Sequence, residues 1–247
     1  MNITTKTPAI KHNFSTNESV FFTDTLITEY HLTLEVTGLG SWDFLCTPNQ
    51  LTELVVGFLY TKGLISCYSD ITQLSINEDE AVARVVLTVP VNMRIPQPPK
   101  LTTFVAPLAE TLTLSKEGNL DMNHVLNLIK AFKKPDELFE QTGALHCCLI
   151  AVEDEIRYRT LDIGRHNAID KAIGLALMEG CDFSQCMLLT SGRTPMEIVE
   201  KVIFAGIPTL VSRSAPTHQA VSLAKEYGIN LLGFAGLERV NIYSLTE

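Results

Sequence analysis

The second half of the chain alternates short apolar strand candidates with stretches that carry apolar residues at helical spacing. The strand candidates are residues 186–190, 209–212 and 229–234. Such strands form a sheet whose apolar faces are covered by the helices between them. The sequence therefore predicts an α/β sheet in this half of the chain.

The first half is rich in strand patterns. Between them, Thr47-Pro48-Asn49-Gln50 combines a capping Thr with a Pro at the first helical position, and this predicts a helix that ends near Gly63. Alternating or β-branched apolar residues predict strands at residues 20–27, 29–36, 71–76 and 81–89. This half is expected to be β-rich with one helix.

Four prolines between residues 90 and 99 interrupt any regular element, so residues 90–100 are predicted to be a loop or linker. We place a domain boundary beyond it, near Asp121. The predicted division is a smaller β-rich domain at residues 1–120 and an α/β domain at residues 121–247.

Charge and hydropathy argue against several classes of protein. The formal net charge is -9 at pH 7, whereas broad nucleic-acid binding relies on many Lys and Arg residues that neutralise phosphates. The sequence shows neither a signal-peptide core nor a run of about 18 apolar residues. We therefore expect a cytoplasmic protein with no membrane or nucleic-acid partner.

Six cysteines are spaced too irregularly for a small disulfide framework or a pair of CxxC zinc knuckles. Buried thiols are the expected role, since cysteine is among the most buried residue types. Cys147 and Cys148 are adjacent, so in a strand their side chains point to opposite faces and cannot act together.

Three strand-to-helix junctions each carry an arginine among small polar residues. The first junction is Asp162-Ile163-Gly164-Arg165-His166-Asn167, ahead of a helix predicted at residues 168–178. The second is Ser191-Gly192-Arg193-Thr194, where Thr194 and Glu197 are predicted to form a capping box around Pro195. The third is Ser212-Arg213-Ser214-Ala215-Pro216-Thr217, ahead of a helix predicted at residues 219–227.

These junctions are expected to meet at one edge of the sheet, because ligands of open α/β sheets bind outside the carboxyl ends of the strands. Helix N-termini attract anions, and the arginine fork matches phosphate oxygens. The sequence thus predicts a pocket for a ligand with several phosphates. The alternative is that each arginine pairs with a nearby acid such as Asp162 or Asp170, while the Ser and Thr residues only cap helices.

Other polar residues accompany these junctions. Thr142-Gly143 precedes an apolar strand predicted at residues 145–152, and its backbone is a candidate for close approach to a ligand. His146 fits a structural role within that strand, whereas His166, in a polar loop, is the better functional candidate. Asp170 and Lys171 are either a local ion pair or ligand contacts.

These motifs resemble those of the formate dehydrogenase accessory sulfurtransferase family, FdhD/NarQ. The string from Asp162 to Lys171 is long and specific, and the resemblance runs from about Leu26 to Tyr243. Further matching strings are Thr142 to His146, Ser191 to Arg193, Ala205 to Pro208, Ser214 to Thr217, Glu29 to Leu32, Cys46 to Pro48, Gly57 to Leu59 and Gly63 to Ile65.

The resemblance implies a C-terminal domain of cytidine-deaminase-like α/β fold, a smaller β-rich N-terminal domain and a homodimer. The family receives sulfur as a persulfide from a cysteine desulfurase and transfers it to the bis-guanine-dinucleotide form of the molybdenum cofactor, before that cofactor enters formate dehydrogenase. The family's cofactor-binding segment corresponds to Val211 to Pro216. With the junctions, the candidate cofactor-binding residues are Thr142, Gly143, Gly164, Arg165, His166, Asn167, Ser191, Gly192, Arg193, Val211, Ser212, Arg213, Ser214, Ala215, Pro216 and Thr217.

The chain departs from the family in its sulfur-carrying loop. The family has CGxCG there, whereas the corresponding residues 101–110 contain no cysteine. Because persulfide transfer needs a thiolate, either a thiol elsewhere substitutes or this member holds the cofactor without sulfurating it. The H-x-E and P-C-x-x-C motifs of zinc deaminases are absent from the sequence, so we predict neither zinc nor deamination. An unrelated nucleotide-binding enzyme on this fold is a third alternative, which the motif set disfavours.

Overall fold

A computed structural model describes residues 1–88, 120–134, 137–153 and 155–245. The chain begins with an antiparallel hairpin of β1 (Thr4–Asn13) and β2 (Glu18–Ile27), which forms a two-stranded sheet of its own. Strand β2 contains the strand predicted at residues 20–27. Strand β1 was not predicted, because its residues lie mostly exposed and lack an apolar face.

A four-stranded sheet follows, in the order β4-β3-β6-β5, with β3 and β6 parallel. It confirms the strands predicted near residues 29–36, 71–76 and 81–89. Helix α1 (Leu51–Thr61) packs its apolar residues against one face of this sheet. The strands are β3 (Tyr30–Val36), β4 (Gly40–Cys46), β5 (Ile71–Asn77) and β6 (Val82–Leu87).

The predicted cap of α1 is wrong. The helix begins at Leu51, its N-cap is Gln50 in the left-handed region (φ 50°), and no side chain caps it. The Thr47 hydroxyl instead lies 2.6 Å from Asn49 Oδ1 and 3.0 Å from Asp162 Oδ2. A tertiary contact to the second half of the chain therefore takes the hydroxyl that local sequence assigned to the helix.

The third sheet has six strands, in the order β12-β11-β10-β9-β7-β8. Strands β9, β10 and β11 are parallel, while β7 runs antiparallel to both β8 and β9. This arrangement confirms the predicted α/β sheet. The strands are β7 (His146–Val152), β8 (Glu155–Asp162), β9 (Cys186–Thr190), β10 (Thr209–Ser212), β11 (Asn230–Gly233) and β12 (Asn241–Ser244). The helices are α2 (Met122–Phe132), α3 (Glu137–Thr142), α4 (Arg165–Met178), α5 (Met196–Ala205) and α6 (His218–Glu226).

Helices cover both faces of the six-stranded sheet. Buried residues of α4, α5 and α6 pack on one face, where they meet Cys148, Ile150 and Leu188. Helix α2 covers the other face, where its buried residues form one apolar cluster with Cys147 and Leu149 of β7. Cys147 and Cys148 thus point to opposite faces, as predicted from their adjacency.

Helices α1 and α4 cross in direct backbone contact at Gly57 and Gly174. A Cβ atom on Gly174 would overlap the carbonyl oxygen of Glu53 and lie 2.7 Å from the backbone nitrogen of Gly57. A Cβ atom on Gly57 would overlap the carbonyl oxygen of Asp170 in the same way. The two glycines therefore let the N-terminal helix pack closely on the second half of the chain.

Two buried ion pairs reinforce the same contact. Lys171 Nζ lies 2.6 Å from Asp162 Oδ2, and both side chains are 0% exposed. Lys201 Nζ lies 2.7 Å from Asp170 Oδ1, which also accepts a hydrogen bond from the Thr61 hydroxyl (2.8 Å). Asp170 and Lys171 therefore form neither a local ion pair with each other nor a ligand contact, because each is buried with another partner.

Within the described ranges, no helix is long and apolar enough to cross a membrane. The linker predicted at residues 90–100 lies outside the described residues, which stop at residue 88 and resume at residue 120. The division of the chain near Asp121 stays a prediction.

Candidate functional site

The predicted junctions gather at one edge of the six-stranded sheet. His146, at the start of β7, pairs with Asp162 at the end of β8, and Cys148 pairs with Thr190 at the end of β9. Thr190 in turn pairs with Ser212 at the end of β10. All three arginine junctions therefore leave their strands at the same edge of the sheet, with the start of β7 between the first and the second.

The first junction is held by the Asp162 carboxylate. Asp162 Oδ1 accepts hydrogen bonds from the Gly164 backbone N–H (2.8 Å) and from Asn167 Nδ2 (3.0 Å). Helix α4 then begins at Arg165, three residues before the predicted start, with Gly164 as its N-cap. His166 accordingly lies in the first helical turn and not in a loop, because the anchored Gly164 allows the helix to start there.

The second junction contacts the first directly. A Cβ atom on Gly192 would lie 2.9 Å from both Cβ and Cδ of Arg165, so the Arg165 side chain rests against this glycine. Ser191 Oγ lies 3.2 Å from His146 Nδ1 and accepts the backbone N–H of Cys147 (3.0 Å). Ser191 therefore joins this junction to the start of β7.

The predicted capping box at Thr194 is wrong. Helix α5 begins at Met196 with Pro195 as its N-cap, and no side chain caps it. Thr194 instead pairs like a strand with the third junction: its N–H donates to Ala215 O, and its carbonyl accepts the N–H of Thr217, each at 3.0 Å. The Thr194 hydroxyl is buried and has no hydrogen-bond partner among the described residues.

The third junction is tied to the second by a side chain. The Ser212 hydroxyl donates to the carbonyl of Gly192 (2.7 Å) and accepts the N–H of Ser214 (3.0 Å). Thr217 caps α6 by accepting the N–H of Ala220 (3.3 Å). Ser212 and the apolar Val211 are buried, so their side chains support the edge from within, and their part in cofactor binding stays a prediction.

Ala215 and Pro216 are partly buried, and Pro216 lies against β11. A Cβ atom on Gly233 would lie 3.0 Å from Pro216 Cδ and 3.1 Å from the carbonyl oxygen of Ser214. The N–H groups of Phe234 and Ala235 bond to the carbonyls of Ser214 (3.1 Å) and Ser212 (2.9 Å). The sequence predicted this strand at residues 229–234 but not the contact of its end with the third junction, although parallel neighbouring strands end at the same edge.

The three arginines face the edge, and none has an acidic partner in the part of the chain that the structure describes. Arg193 and Arg213 are exposed and Arg165 is half-buried, and within the described part of the chain none of them forms an ion pair with a carboxylate. Arg165 Nε is buried without a hydrogen-bond partner there. The Arg213 guanidinium lies 6.0 Å from the centre of the Phe132 ring, at the outer limit of a cation–π contact.

The alternative, in which each arginine pairs with a nearby acid, is therefore wrong. Asp162 and Asp170, the acids considered as arginine partners, pair with Lys171 and Lys201. The charges of the arginines remain available to an anion at this edge.

Both histidines of the edge lie in a positively charged environment. Burial lowers the pKa of His146, and the charges of Arg165 and Arg193 lower it further. Burial, Lys201 and Arg165 likewise lower the pKa of His166, which lies 3.8 Å from the exposed Glu197 carboxylate. The same field that disfavours a second cation favours a bound anion.

Thr142 and Gly143 precede β7 at the same edge. The Thr142 hydroxyl donates to the carbonyl of Leu138 (2.8 Å), within α3. Gly143 adopts the left-handed conformation (φ 63°), and its N–H bonds to the carbonyl of Phe139. These hydrogen bonds end α3 just before Gly143, because glycine adopts the left-handed conformation without a steric penalty.

Among the residues with described positions, no group of three or more His, Cys, Asp or Glu side chains is arranged to hold a metal ion. The chemistry that the edge offers is instead that of fixed positive charge and backbone N–H groups at the starts of α4, α5 and α6.

Comparison with known proteins places these features in a family. The chain is 34% identical over 236 residues to the sulfur carrier protein FdhD of Staphylococcus haemolyticus, covering 91% of this chain and 89% of that protein. It is 33% identical over 230 residues to the sulfur carrier protein FdhD of Listeria monocytogenes, covering 88% of each.

A solved structure described as a formate dehydrogenase accessory protein, from Desulfotalea psychrophila, has the same fold. The two structures align with a TM-score of 0.78 and 19% identity, covering 98% of this chain and 97% of that one. The FdhD/NarQ family profile matches residues 27–247. The chain is therefore a member of the FdhD/NarQ family.

Proposed function

We propose that this protein is a formate dehydrogenase accessory protein that binds the molybdenum bis(molybdopterin guanine dinucleotide) cofactor and supports its sulfuration before insertion. Its partners are then formate dehydrogenase and a cysteine desulfurase, and it works in the cytoplasm as a homodimer. The names of its relatives, which are sulfur carrier proteins, support this assignment.

The observation that carries the proposal is a set of three arginines at one sheet edge that have no acidic partner among the described residues. The cofactor has pyrophosphate groups, which need several positive charges and N–H donors at once. Arg165, Arg193 and Arg213 supply the charges, and the buried Nε of Arg165 has no hydrogen-bond partner among the described residues. When bound, the cofactor contributes the molybdenum centre to which sulfur is delivered.

The protein's own contribution at this edge is to bind and orient the cofactor. Gly192 lets the Arg165 side chain pack directly on the second junction, and the starts of α4, α5 and α6 present N–H groups to an anion. Ser212 and Thr194 hold the second and third junctions together from beneath.

A second candidate function is that of a cofactor chaperone that has lost sulfur transfer. The absence of cysteine from residues 101–110, which lie outside the described residues, favours it. Of the six thiols, only Cys67 is exposed and Cys181 partly exposed, while the other four are buried. A sulfur-carrying role therefore needs a thiol other than those of the usual loop.

Calorimetric titration with GDP, which stands in for one arm of the cofactor, tests the site. We expect saturable binding, with affinity about tenfold lower in Arg193→Ala or Arg213→Ala, because one charge-assisted contact contributes about 1.5–3 kcal/mol. Arg84→Ala is the matched control, since Arg84 pairs with Glu35 and Glu80 on the other sheet. Equal affinity in all variants rejects a phosphate site at this edge.

Incubation with a cysteine desulfurase and cysteine, followed by persulfide labelling and peptide mapping, separates the two candidate functions. A persulfide on one cysteine of the folded protein supports sulfur transfer and identifies the carrier. GDP binding without any persulfide supports the chaperone.

A further inference from the structure

Two cysteine side chains approach each other at the edge of the six-stranded sheet opposite the arginines. Cys181 follows α4 and Cys186 opens β9, with a short turn of residues Phe183–Gln185 between them. Their Sγ atoms lie 3.5 Å apart. A disulfide bond is about 2.05 Å long, so the two side chains together need to move by only about 1.5 Å.

The two thiols differ in access to solvent. Cys181 is partly exposed, whereas Cys186 is 3% exposed and its Sγ lies 3.3 Å from the carbonyl oxygen of Asp182. Burial, reinforced by Cys181, raises the pKa of Cys186 well above its ordinary value. An external reagent therefore meets Cys181 first, and Cys186 is placed to react only within the protein.

We propose that Cys181 and Cys186 are a redox-active dithiol that forms a disulfide bond by exchange with an external disulfide. The Cys181 thiolate attacks one sulfur of the external disulfide, forms a mixed disulfide and releases a thiolate. Cys186 then loses its proton to solvent and attacks Cys181 Sγ, which releases the second thiolate. The protein thiols lose two electrons, and the external disulfide is reduced to two thiols.

This site is separate from the cofactor edge. Cys186 is the first residue of β9, while Ser191 at the arginine edge follows the last residue of that strand. Cys181 likewise lies beyond the C-terminal end of α4, whose N-terminal residue is Arg165. The dithiol therefore does not depend on the proposed cofactor binding. The disulfide would join the segment after α4, which begins at Arg165, to the start of β9, which is followed by the second arginine junction.

Equilibration of the whole protein with oxidised and reduced glutathione in graded ratios tests the proposal. After free thiols are alkylated, the tryptic peptide that contains both Cys181 and Cys186 should be about 2 Da lighter than its dithiol form, with neither glutathione nor an alkyl group attached. Cys67 is the internal control, because its thiol is exposed but has a hydroxyl, Ser69 Oγ, at 3.1 Å where Cys181 has a second thiol. It should carry glutathione only.

Cys186→Ser should leave glutathione on Cys181, because the second attack is removed. Wild-type protein in which Cys181 keeps glutathione, or in which both thiols are alkylated at every ratio, overturns the proposal. The wild-type mapping decides the question even if the Cys186→Ser protein does not fold.

Discussion

The crossing of α1 and α4 allows a quantitative prediction for Gly174→Ala. The new Cβ atom would overlap the carbonyl oxygen of Glu53 and lie 2.7 Å from the nitrogen of Gly57, well inside ordinary contact distance. Because both obstacles are backbone atoms, no side-chain rotation relieves the overlap. The two helices have to move apart.

The cost follows from what that movement disturbs. Overpacking a core costs about 1–3 kcal/mol. Separation also stretches the hydrogen bonds from the Thr61 hydroxyl to Asp170 (2.8 Å) and from Lys201 to Thr61 (3.2 Å), which contribute about 1 kcal/mol each. Alanine regains about 1 kcal/mol of helix propensity over glycine. We expect a net loss of about 2–4 kcal/mol in the free energy of unfolding.

Urea unfolding followed by circular dichroism measures this loss, and thermal melting should show a fall of roughly 5–15 °C. Gly236→Ala is the matched control, since its Cβ would meet nothing closer than the Arg239 carbonyl oxygen at 3.5 Å. It should change stability by no more than about 0.5 kcal/mol.

The Gly57→Ala change, at the same crossing, should not add fully to Gly174→Ala, because one separation of the helices relieves both overlaps. A Gly174→Ala protein as stable as wild type refutes this account of the crossing.

Three further predictions concern the site and its support. Gly192→Ala should displace Arg165, whose Cβ cannot rotate away from the new methyl group. We expect GDP affinity to fall by about tenfold in calorimetry and stability to fall by about 1–3 kcal/mol. Lys171→Met should destabilise the protein by about 3–5 kcal/mol in urea unfolding, because the buried Asp162 carboxylate then has no positive partner. Adding Asp162→Asn should recover part of that loss. Fully additive losses in the double variant would contradict the ion pair. His146 and His166 have lowered pKa values in the folded protein, so the unfolded chain binds protons more readily. The two histidines therefore contribute to the free energy of unfolding above about pH 6.5, and this contribution is lost as the pH falls through their folded pKa values. NMR titration of both imidazoles checks this. Titration midpoints at or above about 6.5 would contradict it.

The sequence predicted ranges for four of the six strands of this sheet, namely β7, β9, β10 and β11, but gave none for β8 and β12. The predicted residues 186–190 and 209–212 coincide with β9 (Cys186–Thr190) and β10 (Thr209–Ser212), because both are apolar runs bounded by polar junctions. The gathering of the junctions at one edge followed from the rule for parallel strands. Strand β1 escaped prediction because a ribbon exposed on both faces needs no apolar alternation.

Polar residues were harder to predict, because their partners are distant in sequence. Thr47 and Thr194 carry the local signature of helix caps, yet tertiary neighbours more than twenty residues away take their polar groups. Lys171 is 0% exposed although lysine is normally a surface residue. Local patterns do not show that the Asp162 carboxylate pairs with Lys171 in the core.

The hydrogen bonds among the three junctions have a consequence for the kinetics of ligand capture. Ser212 is bonded to Gly192, Thr194 is paired with residues 215 and 217, and Gly192 supports Arg165. The protein itself thus holds the backbone of the edge that we propose binds the cofactor, so binding there should cost little backbone conformational entropy. Encounter is then limited by diffusion and by the attraction between the arginines and an anion, so the association rate should fall steeply as salt screens that attraction.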